Sequence, residues 1–272
     1  MAYPEMIISP VRTMNKTTEI ISLSVNNFTF SESLQNVWDA GMAHQPGFIC
    51  FANVHMVIEA HTDDSFRQDL QKARFIFSDG KPLALFCSWF RHTPQERVAG
   101  MDFMPAILQR ADEQGARVFL YGSTPAVLEK LQAHIHSVYP RVELAGAISP
   151  PFRTLSPDET AEHIQQINDS NAHFVLVALG CPKQEKWMAR HYTSINAALL
   201  GVGGAFPVMA GTQKRAPRWM QRFALEWFYR LLEEPRRMFP RYLYTNSYFT
   251  WLVLKDLVLR PFQSRKKKDG YQ

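Results

Sequence analysis

The chain has 272 residues, 46% hydrophobic and 12% aromatic, with a formal charge of +5. Such a composition excludes a wholly disordered protein and supplies one substantial core of α/β size, with room for an appendage. No basic segment followed by a long apolar run opens the chain, and about 18 uninterrupted apolar residues occur nowhere, so neither export nor a membrane span is expected.

Met1 to Lys16 shows no clear period and reads as a lead-in. Apolar runs then predict strands at Glu19 to Val25, Gly47 to Ala52, Phe75 to Ser78, Arg117 to Tyr121, Val142 to Ala145, Phe174 to Leu179 and Ala197 to Val202. Amphipathic helices lie between them, with start signals at Ser31, at Thr124-Pro125 and at Ser156-Pro157-Asp158-Glu159. Strand and helix in alternation imply an α/β fold: a mainly parallel, Rossmann-like sheet with helices on both faces. Pro150-Pro151 is either a break between two α/β halves or a rigid turn. The expected division is a lead-in over 1–16, a catalytic core over 17–211 and a helical basic and aromatic appendage over 212–272.

Charge is distributed unevenly over these parts. From Thr212 to Lys268 there are 14 Lys and Arg against 4 Asp and Glu, whereas the rest of the chain has 16 against 21. The same tail holds 12 Phe, Trp and Tyr residues. An acidic body with a basic, aromatic tail expects an anionic partner, either a membrane surface or a nucleic acid. Cys50, Cys87 and Cys181 are odd in number, irregularly spaced and in or beside apolar segments, as in a reduced cytosolic protein. No base adjoins Cys181, so no thiol chemistry is expected there.

The most informative segment is His173 to Met188, HFVLVALGCPKQEKWM. Its apolar run ends in Gly180, turns at Pro182 and presents Lys183, Gln184 and Glu185, which places a polar cluster at the carboxyl end of a buried parallel strand, where open α/β sheets bind ligands. Asp79-Gly80 follows another apolar run in the same way. Asp79 is a candidate general base, although Asp-Gly is also a common turn. Asn53 and His55 could line the same edge, or be a helix cap and an interior histidine. Arg97 and Asp102, in RVAGMD, are a ligand-binding loop or a structural ion pair. Gly122, in FLYGST, suits anion binding by backbone N–H groups, and Gly203-Gly204 allows close approach of a phosphate or sugar. Neither a Gly-x-Gly-x-x-Gly fingerprint nor a Gly-x-x-x-x-Gly-Lys-Ser/Thr loop is present, and the nine His form no metal-ligand pattern. A bound diphosphate would therefore be offset by Lys, Arg and backbone N–H groups.

In the tail, Met220, Phe223, Trp227, Phe228 and Leu231 share one side of a helix over Arg218 to Leu232, while Arg218, Arg222, Glu226 and Arg230 recur every fourth residue on another. Arg236, Arg237 and Arg241 follow, then YLYTNSYFTWLVL and Arg265 to Lys268. The apolar side could be buried on the core or in a second copy of the chain; the adjoining cationic clusters favour a peripheral membrane surface.

Taken together in order, Asn53, Asp79-Gly80, RVAGMD, VFLYGSTP, LGCPKQEKW, GVGGAF, RAPRWMQ and LEWFYRLLEEPRR closely resemble the bacterial WecG/TagA/CpsF glycosyltransferase family. The resemblance implies transfer of a hexose-type sugar from a UDP-sugar to a polyprenyl-diphosphate-linked saccharide in cell-surface polysaccharide synthesis, at the cytoplasmic face of the membrane, with inversion and with neither metal nor cofactor. Asp79 matches the family's catalytic carboxylate and, as an unperturbed Asp, would already be ionised at neutral pH. Gln184 would orient donor or acceptor. The donor site would draw on Asn53, His55, Gly80, Arg97, Asp102, Gly122, Gly180, Pro182, Lys183, Glu185, Gly203 and Gly204, and the acceptor diphosphate and membrane on Arg230, Arg236, Arg237 and Arg241. Phe51, Pro207 and Ser149-Pro150-Pro151 depart from the family pattern. A nucleotide-sugar epimerase or isomerase and a nucleic-acid-binding protein are the alternatives, distinguished by a missing lipid acceptor and by salt-sensitive oligonucleotide binding.

Overall fold

A computed structural model describes residues 17–223 and 225–268 of the protein, with side chains at all of these except 90, 91, 222, 237 and 256–268. The expected lead-in, Met1 to Lys16, lies outside the described residues. The described chain opens on an antiparallel hairpin, β1 (Thr17–Ile20) and β2 (Leu23–Asn26). The single strand expected over Glu19 to Val25 is thus two. The reversal at Ile21-Ser22 is made without Gly, Pro or Asn, Ile21 taking a φ of 59°, and Ile20, Leu23 and Val25 are all buried. An apolar pattern that continues through a turn conceals the turn.

Six further strands, β3 (Gly47–Ala52), β4 (Phe75–Ser78), β5 (Arg117–Gly122), β6 (Glu143–Ile148), β7 (Phe174–Ala178) and β8 (Ala198–Gly201), form one parallel sheet in the order β4-β3-β8-β7-β5-β6. The sheet continues across Pro150-Pro151, which is the turn leaving β6 and no break between halves. Between the strands run α1 (Phe30–Met42), α2 (Val54–Thr62), α3 (Asp64–Gln71), α4 (Lys81–Arg91), α5 (Gly100–Gln114), α6 (Pro125–Val138), α7 (Pro157–Asp169) and α8 (Lys183–His191), with α9 (Ala205–Met209) after the last strand. Thr124 and Ser156 cap their helices as expected, whereas α1 is capped two residues before Ser31, by a capping box between Thr29 and Glu32.

Alternation along each strand divides the core between two faces. Phe48, Cys50 and Ala52 point to the side covered by α2, α3, α4 and α8, and Ile49 and Phe51 to the side covered by α1, α5, α6 and α9. The appendage follows as α10 (Arg218–Arg222), α11 (Glu226–Glu233) and α12 (Pro235–Lys268). The continuous helix expected over Arg218 to Leu232 is instead two helices, α10 and α11, with Leu225 N–H turning back to the Met220 carbonyl between them. Part of the appendage completes the core: Phe249 and Leu252 of α12 are buried beside α2 and α4, with Phe249 edge-on to Phe86.

The connections decide where a ligand fits. From β5 the chain leaves toward β6 through α6 on one face, and from β7 it leaves toward β8 through α8 on the other. Adjacent strands whose connections diverge leave a crevice at their carboxyl ends. Gly122 and Gly180, both with positive φ, stand at that point. A Cβ at Gly122 would lie 2.4 Å from the Ala178 carbonyl oxygen, in a backbone region (φ +116°) closed to other residues. G122A is therefore expected to destabilise the protein by roughly 2 kcal/mol or more, measured by urea unfolding, since both the clash and the strain must be relieved by parting β5 from β7.

Candidate active site

All six parallel strands deliver their carboxyl ends to one edge, so Asp79 after β4, Asn53 after β3, Gly203 after β8, Gly180 after β7 and Gly122 at the end of β5 line it in that order. Asp79 is anchored there by its own N–H, which donates to the Ala52 carbonyl at 2.8 Å. Gly80 then starts α4 and lies against Asn53. Asn53 is the N-cap of α2, its Oδ1 accepting from Met56 N–H at 3.1 Å, so the side-chain oxygen serves the helix. His55 sits in the first turn of that helix with Nε2 3.3 Å from Glu59. Burial, helped by Arg241, lowers its pKa to about 4, and the ring is neutral at physiological pH.

Arg97 and Asp102 form an ion pair at 2.7 Å, and the appendage enlarges it. Glu226 of α11 accepts from Arg97 Nη1 at 2.9 Å, and Arg215, just before α10, donates to Asp102 and lies 4.0 Å from Glu226. Arg230, one turn after Glu226, rests on Gly204: a Cβ there would be 3.1 Å from its Nη2. A pocket lined by Met101, Val208, Gln213, Arg215, Glu226, Tyr229 and Arg230 lies between core and appendage. These charges surround Asp79. Burial pushes its carboxyl up to about 7, Arg97 and Arg230 pull it back, and Glu226 and Asp102 add to the rise. The expectation of an unperturbed Asp79 is corrected, because composition alone cannot show that the carboxyl loses its water.

At the other wall, Lys183 is exposed at the start of α8, which has no side-chain cap. Gln184 and Glu185 turn inward, 3% and 1% exposed, so Glu185 does not reach the open edge. Its carboxyl lies beside Cys181. A carboxyl therefore does adjoin that thiol, yet burial and Glu185 push the thiol pKa up, and a protonated thiol is no nucleophile. Among the tail cations, Arg230 reaches Gly204 and Arg241 approaches His55, while Arg236 is exposed on α12. The side chain of Arg237 lies outside the described residues.

Residues 18–263 match the glycosyl transferase family WecG/TagA/CpsF. The chain belongs to this family. A relative from Bacillus subtilis (strain 168), N-acetylglucosaminyldiphosphoundecaprenol N-acetyl-beta-D-mannosaminyltransferase, is 32% identical over 222 residues, which cover 81% of this chain and 84% of the relative. The protein is a glycosyltransferase, and the carboxylate, amide and guanidinium groups gathered on one sheet edge are the chemistry such an enzyme has to work with.

Arg215 and Glu226 are the members of this site that sequence reasoning passed over. Glu226 carried a signal, as the one acid in the fourfold stripe of Arg218, Arg222 and Arg230. An acid that interrupts a cationic stripe on an otherwise exposed helix has a partner elsewhere.

The raised Asp79 pKa has a sign that can be measured. The folded state binds the Asp79 proton more tightly than the unfolded chain, whose Asp pKa is about 3.9, so this group costs stability as pH rises from about 4 to about 7 and the cost is constant above that. D79N removes the cost. Thermal unfolding should show D79N more stable than the wild type at pH 8, on the order of a few kcal/mol, and the difference should vanish near pH 4.

Proposed function

We propose that the protein transfers a hexose-type sugar, of the N-acetylmannosamine kind, from a UDP-sugar to a saccharide carried on a polyprenyl diphosphate, in cell-surface polysaccharide synthesis, with inversion and without a metal. The Bacillus subtilis relative's name supports the sugar and the lipid-linked acceptor. The observation that carries the mechanism is the placement of Asp79 beside Arg97 and Arg230 at the same edge as Gly180, Gly203 and Gly204. Strands β7 and β4 are three places apart in the sheet, about 14 Å at ordinary strand spacing. A nucleotide sugar with its nucleoside in the β5/β7 crevice would lie along this edge with its sugar directed toward Asp79.

In this reading the acceptor hydroxyl attacks the anomeric carbon while Asp79 takes its proton. The bond from that carbon to the diphosphate oxygen breaks, and UDP leaves with the electron pair. One displacement at one face inverts the configuration. The growing charge on the diphosphate is met by Arg230 against Gly204, by Lys183 and by the uncapped start of α8, the kinds of group that hold phosphates without a divalent ion. Arg97 is already held by two carboxylates, so it shapes the site more than it neutralises the donor.

The same reading places the appendage on an anionic membrane. Among the described residues no helix is long and apolar enough to cross a bilayer. Phe223, Leu232, Phe239 and Leu243 are nevertheless 58–74% exposed, and Trp227 and Phe228 about 40%, although Met220, Met238, Phe249 and Leu252 of the same segment are buried. An exposed apolar face next to clustered cations suits the headgroup layer. Because the buried residues belong to the core, deleting the tail would damage the fold, and surface substitutions are the informative change.

Two outcomes are expected. Transfer by D79A, followed by mass spectrometry with UDP-N-acetylmannosamine and a lipid diphosphate acceptor, should fall by roughly 10² to 10⁴, and wild-type turnover should rise with pH through about 7 as the base ionises; undiminished D79A turnover would remove Asp79 from that role. The combined variant F223S/F228S/L232S should lose co-sedimentation with phosphatidylglycerol vesicles while transferring to a short-chain, water-soluble acceptor at the wild-type rate.

A further inference from the structure

Gln184 and Glu185 are the most deeply buried polar pair at the site, 3% and 1% exposed. Their side chains are joined: Gln184 Nε2 donates to Glu185 Oε1 at 3.0 Å. Gly201 and Gly203, at the end of β8, make room for the amide. A Cβ on Gly201 would stand 2.6 Å from Gln184 Nε2, and one on Gly203 3.4 Å from Gln184 Oε1. Gln184 Oε1, on the Gly203 side, accepts no hydrogen bond among the described residues. A buried acceptor without a donor is costly, and it is retained where something else supplies the donor.

A primary amide has two orientations of nearly equal shape, with donor and acceptor exchanged. In isolation Gln184 could present either end toward Gly203. Glu185 holds one of the two: its Oε1 accepts from the NH₂ end, which leaves the amide oxygen on the Gly203 side. The second oxygen of Glu185, Oε2, is buried with no hydrogen-bond partner among the described residues, so the amide of Gln184 is the contact that this carboxyl makes on that side.

We propose that Glu185 is a positioning residue, which by accepting from Gln184 Nε2 turns Gln184 Oε1 toward Gly203 as the acceptor for a hydroxyl or amide N–H of the bound sugar. This rests on the reading that a sugar nucleotide binds along this edge. Glu185 itself touches no substrate; its buried carboxyl acts through the neighbouring amide, which explains an acid in the first turn of α8 that never meets solvent.

The test pairs E185M, which keeps the volume but removes the acceptor, with E185Q, which keeps an acceptor oxygen. Steady-state transfer with UDP-N-acetylmannosamine should show kcat for E185M reduced roughly tenfold or more, the rate equivalent of one well-placed hydrogen bond, and E185Q close to the wild type. In a Q184A background E185M should cause no further loss, a non-additivity that a merely structural role would not produce. E185M at the wild-type rate, or a folded E185Q as poor as E185M, overturns the inference. If E185M does not fold, E185Q alone still decides, because its activity must survive. Impaired Q184A with unimpaired E185M sinks only the link between the two residues. Wild-type rates from Q184A would show that the amide does not serve the reaction, and would remove the donor-site reading of Gln184 together with the role of Glu185.

Discussion

Parallel strands must all run the same way, and that constraint organises the protein. Each of the six strands needs a crossover to return the chain to its starting end, so helices cover both faces and every strand releases its next residue at the same edge. Asp79 and Gly180 are about a hundred residues apart in sequence and three strands apart in space. The order β4-β3-β8-β7-β5-β6 contributes a second consequence, since diverging connections at β5 and β7 open a crevice that no individual segment encodes.

The second constraint is electrostatic. A carboxylate that must take a proton benefits from a pKa near the working pH, and burial supplies that shift only while cations nearby keep the ionised form accessible. The body provides Arg97, and α11 provides Arg230 and Glu226. Because Glu226 and Asp102 both engage Arg97, that guanidinium is largely compensated and does not return Asp79 to the ordinary carboxylate range. The appendage is consequently part of the site's electrostatics as well as a surface. A displacement of α11 would alter the environment of Asp79 and the cation beside Gly204 together, which couples the seating of the tail to the electrostatics of the edge.

Much of this was legible before any coordinates. Five of the seven predicted strands sit within a residue or two of their observed bounds, because fully buried strands are continuous apolar runs punctuated by Gly, Pro or a cap. The edge residues Asp79, Asn53, Gly122, Gly180 and Gly203 were recognisable because each follows such a run. The failures have physical causes as well. The Ile21-Ser22 turn uses a left-handed isoleucine, which propensity does not anticipate; the strand over Val142 to Ala145 continues to Ile148 through Gly146, where a Cβ would strike the Phe119 ring; and the break between α10 and α11 leaves the helical spacing of Arg218 to Leu232 intact on paper.

By itself the sequence determined the α/β alternation, the basic aromatic tail, the family, and which residues end the strands, since these depend on local apolar periodicity and on ordered motifs. Strand order, the burial of Glu185, the half-burial of Asp79 with its carboxyl near pH 7, and the meeting of Arg97 with Glu226 and of Arg230 with Gly204 were decided only by tertiary structure. Each of those depends on what stands across a gap of many residues. The loss of water around a charge, like the distance between two charges, is a property of the packed chain that no local pattern carries.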